Sequence, residues 1–262
     1  DGELGERGEL ATALAAVEAG VGTRGGSQDH TAILCCQPGL WSRFRFRPMR
    51  SEGTLPEPAE LALLVAVSGV VASKSGAARA AFNRAADAVG DILALWNRAT
   101  SRQDASLAAA LASAPGAREE LRSLLVPQPR LAARLEQFWN ESEVWIPAAV
   151  AAAAAQDWRA FAEVVACSQA AAAAALGNQT PETDALVALA LGLGAVAASS
   201  FGAGFGGSVW ALVPRAEAQA FRSAWQQQYR RQFPGCAARS QFMECAAGPP
   251  ATKLAWGQGT DE

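Results

Sequence analysis

The sequence contains a single histidine, His30. A Ser-His-Asp triad and a histidine metal site therefore cannot be built from this chain, and no metal ligands are assigned. Its five cysteines (Cys35, Cys36, Cys167, Cys236 and Cys245) show no Cys-x-x-Cys spacing. They read as buried free thiols in a reducing compartment, which makes the expected location cytoplasmic. Long hydrophobic runs are also missing. The longest apolar stretch, Ile146 to Ala155, is too short to span a bilayer and is almost all alanine. Residues 1 to 10 are acidic and glycine-bearing, unlike a signal peptide. Nor is there an excess of charge. The net value of −3 offers no global attraction to nucleic acid or an anionic membrane.

What is present suits a globular protein of one large domain or two smaller ones. Half of the 262 residues are hydrophobic and 18% are charged. Residues 8 to 20 predict a helix ended by Gly20, and a glycine-bearing loop runs from Gly22 to His30. Ile33 to Cys36 reads as a short strand with the Cys35-Cys36 pair in its core. Trp41 to Arg47 alternates, with Phe44 and Phe46 on one face and Arg43, Arg45 and Arg47 on a solvated one. Leu61 to Ser68 predicts a third strand, apolar on both faces.

The middle of the chain is helical by pattern. Ser75 is placed to cap a helix from Gly76 to about Asn97, and shorter helices follow near Asp104 to Ser113 and Ala117 to Leu124. Two long helices, Leu131 to Ala155 and Asp157 to Leu176, are separated by a turn and cap at Gln156-Asp157. Their alanine runs favour helix and close packing. The last portion predicts helix (Glu182 to Leu191), strand (Ala195 to Ser199), glycine loop, strand (Ser208 to Val213), helix (Arg215 to Gln232) and strand (Ser240 to Cys245).

Two stretches can carry chemistry. In Phe201-Gly202-Ala203-Gly204-Phe205-Gly206-Gly207-Ser208, the glycines satisfy the spacing of a dinucleotide fingerprint. That fingerprint needs a strand before and a helix after, whereas this loop is predicted between two strands. It also lacks the Lys-Ser/Thr of a P-loop. Four glycines exceed the one or two that a simple hairpin requires, and they allow backbone to approach a ligand closely. The second stretch is Gly22-Thr23-Arg24-Gly25-Gly26-Ser27-Gln28-Asp29-His30. Asp29 can accept a proton from a substrate hydroxyl, or serve only as a turn former.

These residues resemble the GHMP kinases, and galactokinases among them. Phe201 to Ser208 is similar to the family's third motif in its galactokinase form, Thr-Gly-Ala-Gly-Phe-Gly-Gly-Cys. Gly22 to Asp29 resembles Gly-Val-Pro-Cys-Gly-Ile-Met-Asp, with Gly22, Gly26 and Asp29 in register. Val71 to Asn83-Arg84 resembles the family's strand and Tyr-Asn-x-Arg helix. Glu141, Ser168 and Pro181-Glu182-x-Asp184 fall in matching order.

The resemblance implies an α+β GHMP-kinase fold. It comprises a remnant of the N-terminal α/β domain over residues 1–70, a helix-rich, ferredoxin-like C-terminal domain over 71–255, and a tail over 256–262. It also implies an ATP-dependent sugar kinase with Mg²⁺ on the phosphates, foremost one converting galactose to galactose 1-phosphate. Asp29 corresponds to the catalytic aspartate, and Gly26 and Asp29 to substrate-binding positions. Gly202, Ala203, Gly204 and Phe205 correspond to the loop that supports the nucleotide phosphates.

Some positions depart from the family. Phe201 replaces the usual Thr, Ser199 a common basic residue, His30 a Gln, and Val144 the arginine of a Glu-Asn-x-Arg segment. Thr23-Arg24-Gly25 replaces Val-Pro-Cys. The alternatives are a kinase for heptose, arabinose, fucose, a uronic acid or an amino sugar, or a noncatalytic sugar- and ATP-binding regulator. The family's Gly-Glu-His-x-Asp and Gly-Leu-Ser-Ser-Ser segments have no counterpart in residues 1–262. The expectation is therefore a C-terminal part of such a kinase, a poor catalyst on its own.

Overall fold

In a computed structural model, the structure describes residues 2–20, 26–46, 49–70, 76–202 and 204–252. It divides into two compact units, residues 1–57 with 247–262 and residues 58–246. The expected division after residue 70 differs from this boundary because the strand at Leu61–Val67 pairs deep within the second unit's sheet.

The first unit contains α1 (Gly2–Ala19), α2 (Gln28–Cys35), β1 (Leu40–Arg45) and β2 (Arg50–Pro56). The strand expected at Ile33 to Cys36 is instead the end of α2. Four apolar residues do not distinguish the two periodicities. The local start signal decides for helix: the Thr31 amide donates to the Ser27 carbonyl at 2.7 Å, and Asp29 lies in the positive first turn. Thr31 and Cys35, one turn apart, are buried, while Ile33 is exposed. Cys35 therefore packs from a helix rather than a strand, and of the five thiols expected to be buried only Cys35 and Cys236 are, Cys167 being exposed.

β1 and β2 form an antiparallel pair with a bulge between Arg43 and Phe44. β2 carries no alternating apolar pattern, so the sequence does not announce it. Its Gly53 takes a φ of 122° beside the bulge. The β1 arginines are not simply solvated. Arg43 and Arg45 grip Glu52 across the pair at 2.8 and 2.6 Å. The Arg45 hydrogen bond, above all, holds the Glu52 carboxyl below its ordinary range.

The second unit contains β3 (Leu61–Val67), α3 (Gly76–Thr100), α4 (Leu107–Leu111), α5 (Ala117–Leu125), α6 (Pro129–Trp139), α7 (Ile146–Ala154), α8 (Trp158–Leu176) and α9 (Pro181–Gly192). It continues with β4 (Ala197–Ser200), β5 (Ser208–Pro214), α10 (Ala218–Gln232) and β6 (Gln241–Cys245). The four strands pair antiparallel in the order β4-β5-β3-β6. Read as a βαββαβ chain, that is the ferredoxin-like arrangement, with α3 to α9 inserted in the first crossover. The proposed Ser75 cap lies outside the described residues.

Two cores result. Leu64, Ala66, Val209 and Ala211 on the sheet pack against Leu186, Ala190, Trp225 and Tyr229 from α9 and α10. The buried polar tips are satisfied: Trp225 Nε1 donates to the Leu186 carbonyl at 3.0 Å, and the Tyr229 hydroxyl to the Ser68 carbonyl at 2.6 Å. Ile92, Trp96, Leu107, Leu121, Leu125 and Leu135 form a separate all-helical core.

The long helix expected over Leu131 to Ala155 is interrupted. Residues Asn140–Trp145 form a π turn, and the Ile146 amide bonds the Glu141 carbonyl five residues back. Pro147 has no amide to continue the ordinary ladder, which explains the break. The following boundary matches expectation: Asp157 caps α8 through the Ala160 amide, and Gly177 ends it in the left-handed region.

Candidate functional site

The glycine stretch is a hairpin loop between β4 and β5. The Phe201 amide donates to the Ser208 carbonyl at 2.9 Å and closes it. Gly202, Gly204, Gly206 and Gly207 all have positive φ, as does Phe205 at 61°. The preceding-strand, following-helix context of a dinucleotide fingerprint is absent, because β5 follows directly. Ala203 lies outside the described residues.

Two glycines are required by close approach. A Cβ on Gly204 would run into the backbone carbonyl of Asn178, and one on Gly206 would lie 2.9 Å from the Val70 carbonyl oxygen. The loop is thus wedged between the exit of β3 and the α8–α9 linker. The Phe205 amide donates to the Asn178 carbonyl, the Gly207 amide to Val70 at 3.1 Å, and the Ser68 amide to Gly207 at 2.9 Å. The bonded amides of Phe205 and Gly207 alternate with those of Gly204 and Gly206, which meet no backbone carbonyl among the described residues.

Polar side chains that the sequence reading missed surround the loop's stem. Gln169 Oε1 accepts from Ser199 Oγ at 2.8 Å, the Ser200 amide at 3.0 Å and Ser200 Oγ at 3.1 Å. Gln179 Nε2 donates to Ser200 Oγ and to Asn178 Oδ1, each at 2.9 Å. A signal was available: Ser168-Gln169 is a polar pair directly before the alanine run 170–175.

Ser168 itself donates to both oxygens of Glu141, at 3.0 and 2.8 Å. Burial pushes the Glu141 carboxyl up, against the opposing pull of Ser168 and Arg134. Arg134 is pushed down by burial and donates to Gln137. Glu141 and Ser168, matched to the family in order only, are therefore direct partners.

The other candidate residues lie in the first unit. Gly26 and Asp29 flank buried Ser27 where α2 begins, and Asp29 is exposed in the first turn. Gly26 does not need a left-handed backbone; its missing side chain leaves room for the Phe46 ring, 3.3 Å from where a Cβ would sit. Gly22 to Gly25 lie outside the described residues. Among the described residues no group of three His, Cys, Asp or Glu side chains gathers as a metal site. None of their helices is long and apolar enough to cross a membrane.

Residues 149–231 match the family model described as GHMP kinases C terminal. The fold is that of Lactococcus lactis galactokinase, solved in complex with galactose, at a TM-score of 0.77 and 21% identity. The match covers 95% of this chain and 61% of that one. The chain thus spans about three-fifths of that galactokinase's length. A mevalonate kinase from L. major, solved with R-mevalonate, matches at a TM-score of 0.47 and 14% identity, over 80% of this chain and 50% of that one. No curated protein sequence matches the chain. Residues 149–231 thus carry a GHMP kinases C-terminal segment, and the chain around it has a galactokinase-like fold.

Proposed function

We propose that the chain works in ATP-dependent phosphorylation of a monosaccharide hydroxyl, with galactose to galactose 1-phosphate as the leading reaction. The observation that carries this reading is the glycine loop, a cradle of left-handed backbone within the segment that matches the GHMP kinases C terminal family. Gly202, Ala203, Gly204 and Phe205 support the nucleotide phosphates. Asp29 accepts or orients the proton of the attacking hydroxyl, and Gly26 and Asp29 contact the sugar. Magnesium bound to the phosphates supplies charge neutralisation for phosphoryl transfer. The protein's own contribution is positioning and electrostatic stabilisation.

A second reading keeps the chemistry and changes the sugar. Phe201, with 44% of its surface exposed at the loop's stem, stands where galactokinases carry threonine. Val144 stands in place of an arginine. A coupled ADP-release screen across monosaccharides, run on the protein as its gene encodes it, decides between them. Galactose-dependent ADP release supports the leading reaction, and turnover confined to another sugar supports the second. No sugar-dependent release with any acceptor would refute both.

A further inference from the structure

Ser200 is the last residue of β4, and its backbone pairs with Val209 just before the glycine loop departs. Its hydroxyl is held from two sides. Gln179 Nε2 donates to it at 2.9 Å, and it donates to Gln169 Oε1 at 3.1 Å. Gln169 comes from the middle of α8 and Gln179 from the α8–α9 linker. The Gln179 amide also reaches the side chain of Asn178, whose backbone carbonyl receives the Phe205 amide inside the loop. One linker therefore tethers the loop at its stem and at its centre. On its far side, the Thr183 hydroxyl donates to Gln179 Oε1 at 3.1 Å, which fixes the orientation of the glutamine amide.

We propose that Ser200, clasped between Gln169 and Gln179, is a positioning residue that sets the glycine loop in place for the nucleotide phosphates. This rests on the kinase reading above. The physical case is entropic. A loop with four glycines has more conformations to lose than any other segment of its length. Its backbone amides stabilise developing charge only where they are already fixed when reaction begins. The clasp supplies that fixation from a packed helix. Removing the Ser200 hydroxyl frees Gln179 from the stem and leaves Gln169 with only two of its three donors. Misplacement by about 1 Å costs on the order of a hundredfold in rate.

The test compares Ser200→Ala with Ser200→Thr, which keeps the hydroxyl and suits an edge strand. The Ala variant is expected to lose about 10- to 100-fold in kcat/KM for ATP while the KM for the sugar stays unchanged, and the Thr variant to restore it. Wild-type kinetics in Ser200→Ala overturn the inference. So does an equal rise in both KM values accompanied by a lower melting temperature, the mark of a merely structural residue. Amide exchange at Phe205 and Gly207 separates this inference from the reading beneath it. If the unmodified protein turns over no sugar, the kinase reading falls, and exchange alone then judges the tether. Faster exchange in Ser200→Ala but not in Ser200→Thr sustains the clasp. Unchanged exchange removes it.

Discussion

Gly202 and Gly204 share a left-handed backbone, with φ of 58° and 77°, but not the same surroundings. A methyl on Gly202 meets nothing within 4 Å, whereas one on Gly204 collides with the Asn178 backbone. Gly202→Ala is expected to cost about 1 kcal/mol, the left-handed penalty alone. Gly204→Ala adds overpacking and is expected to cost about 3 kcal/mol or more. Urea unfolding of both variants measures the difference, and equal losses would contradict the packing of the loop on Asn178.

Glu141 gives a prediction in pH. Burial raises its folded-state pKa above the ordinary glutamate value. The folded protein therefore holds this proton more tightly than the unfolded chain does. The resulting stability is fully present below the unfolded value and is lost as pH rises through the folded one. Glu141→Gln keeps an acceptor for the Ser168 hydroxyl and removes the ionisation. Relative to wild type, the variant should gain stability as pH rises across that window. Parallel denaturation curves from pH 4 upward read the trend, and a constant difference between the two proteins would rule it out.

At the scale of elements, helix caps do different work depending on what they adjoin. Asp157 caps α8 far along the chain from the loop, through a single bond to the Ala160 amide. Thr183 belongs to the capping box of α9, is fully buried, and also orients Gln179. Asp157→Ala and Thr183→Val should each lose about 1 kcal/mol of stability. Only Thr183→Val should also lower nucleotide-dependent turnover. Equal turnover in the two variants, measured where both are folded, would separate the α9 cap from the loop. The π turn makes the same point about elements. Pro147 is visible in the sequence, but its effect, aiming Glu141 at Ser168, depends on how α8 packs.

The whole molecule distributes its candidate residues between two compact units. Asp29 and Gly26 belong to the first and the glycine loop to the second. Asp29→Asn is expected to lower turnover by about 10²- to 10⁴-fold, the range for losing a general base, while ATP binding by calorimetry stays near wild type. Unimpaired turnover would remove Asp29 from its proposed role.

The glycine loop, the strands beside it and the capped alanine-rich helix α8 were legible in the sequence, because each is set by local chemistry: glycine's left-handed freedom, alternation, and an aspartate or glycine at a helix end. The α2 helix and β2 were not, since a four-residue apolar run and a polar strand carry no period that decides between conformations. Gln169, Gln179 and Ser200 were equally silent. The sequence by itself determined the class of fold, through the order and type of its elements and the motif at Phe201 to Ser208. Only the tertiary structure decided what holds that motif still. Hydrogen bonds between a residue in α8, one in the following linker and one at the end of β4 join positions up to 31 apart in the chain. Their side chains acquire meaning only when packing brings them within reach of one another.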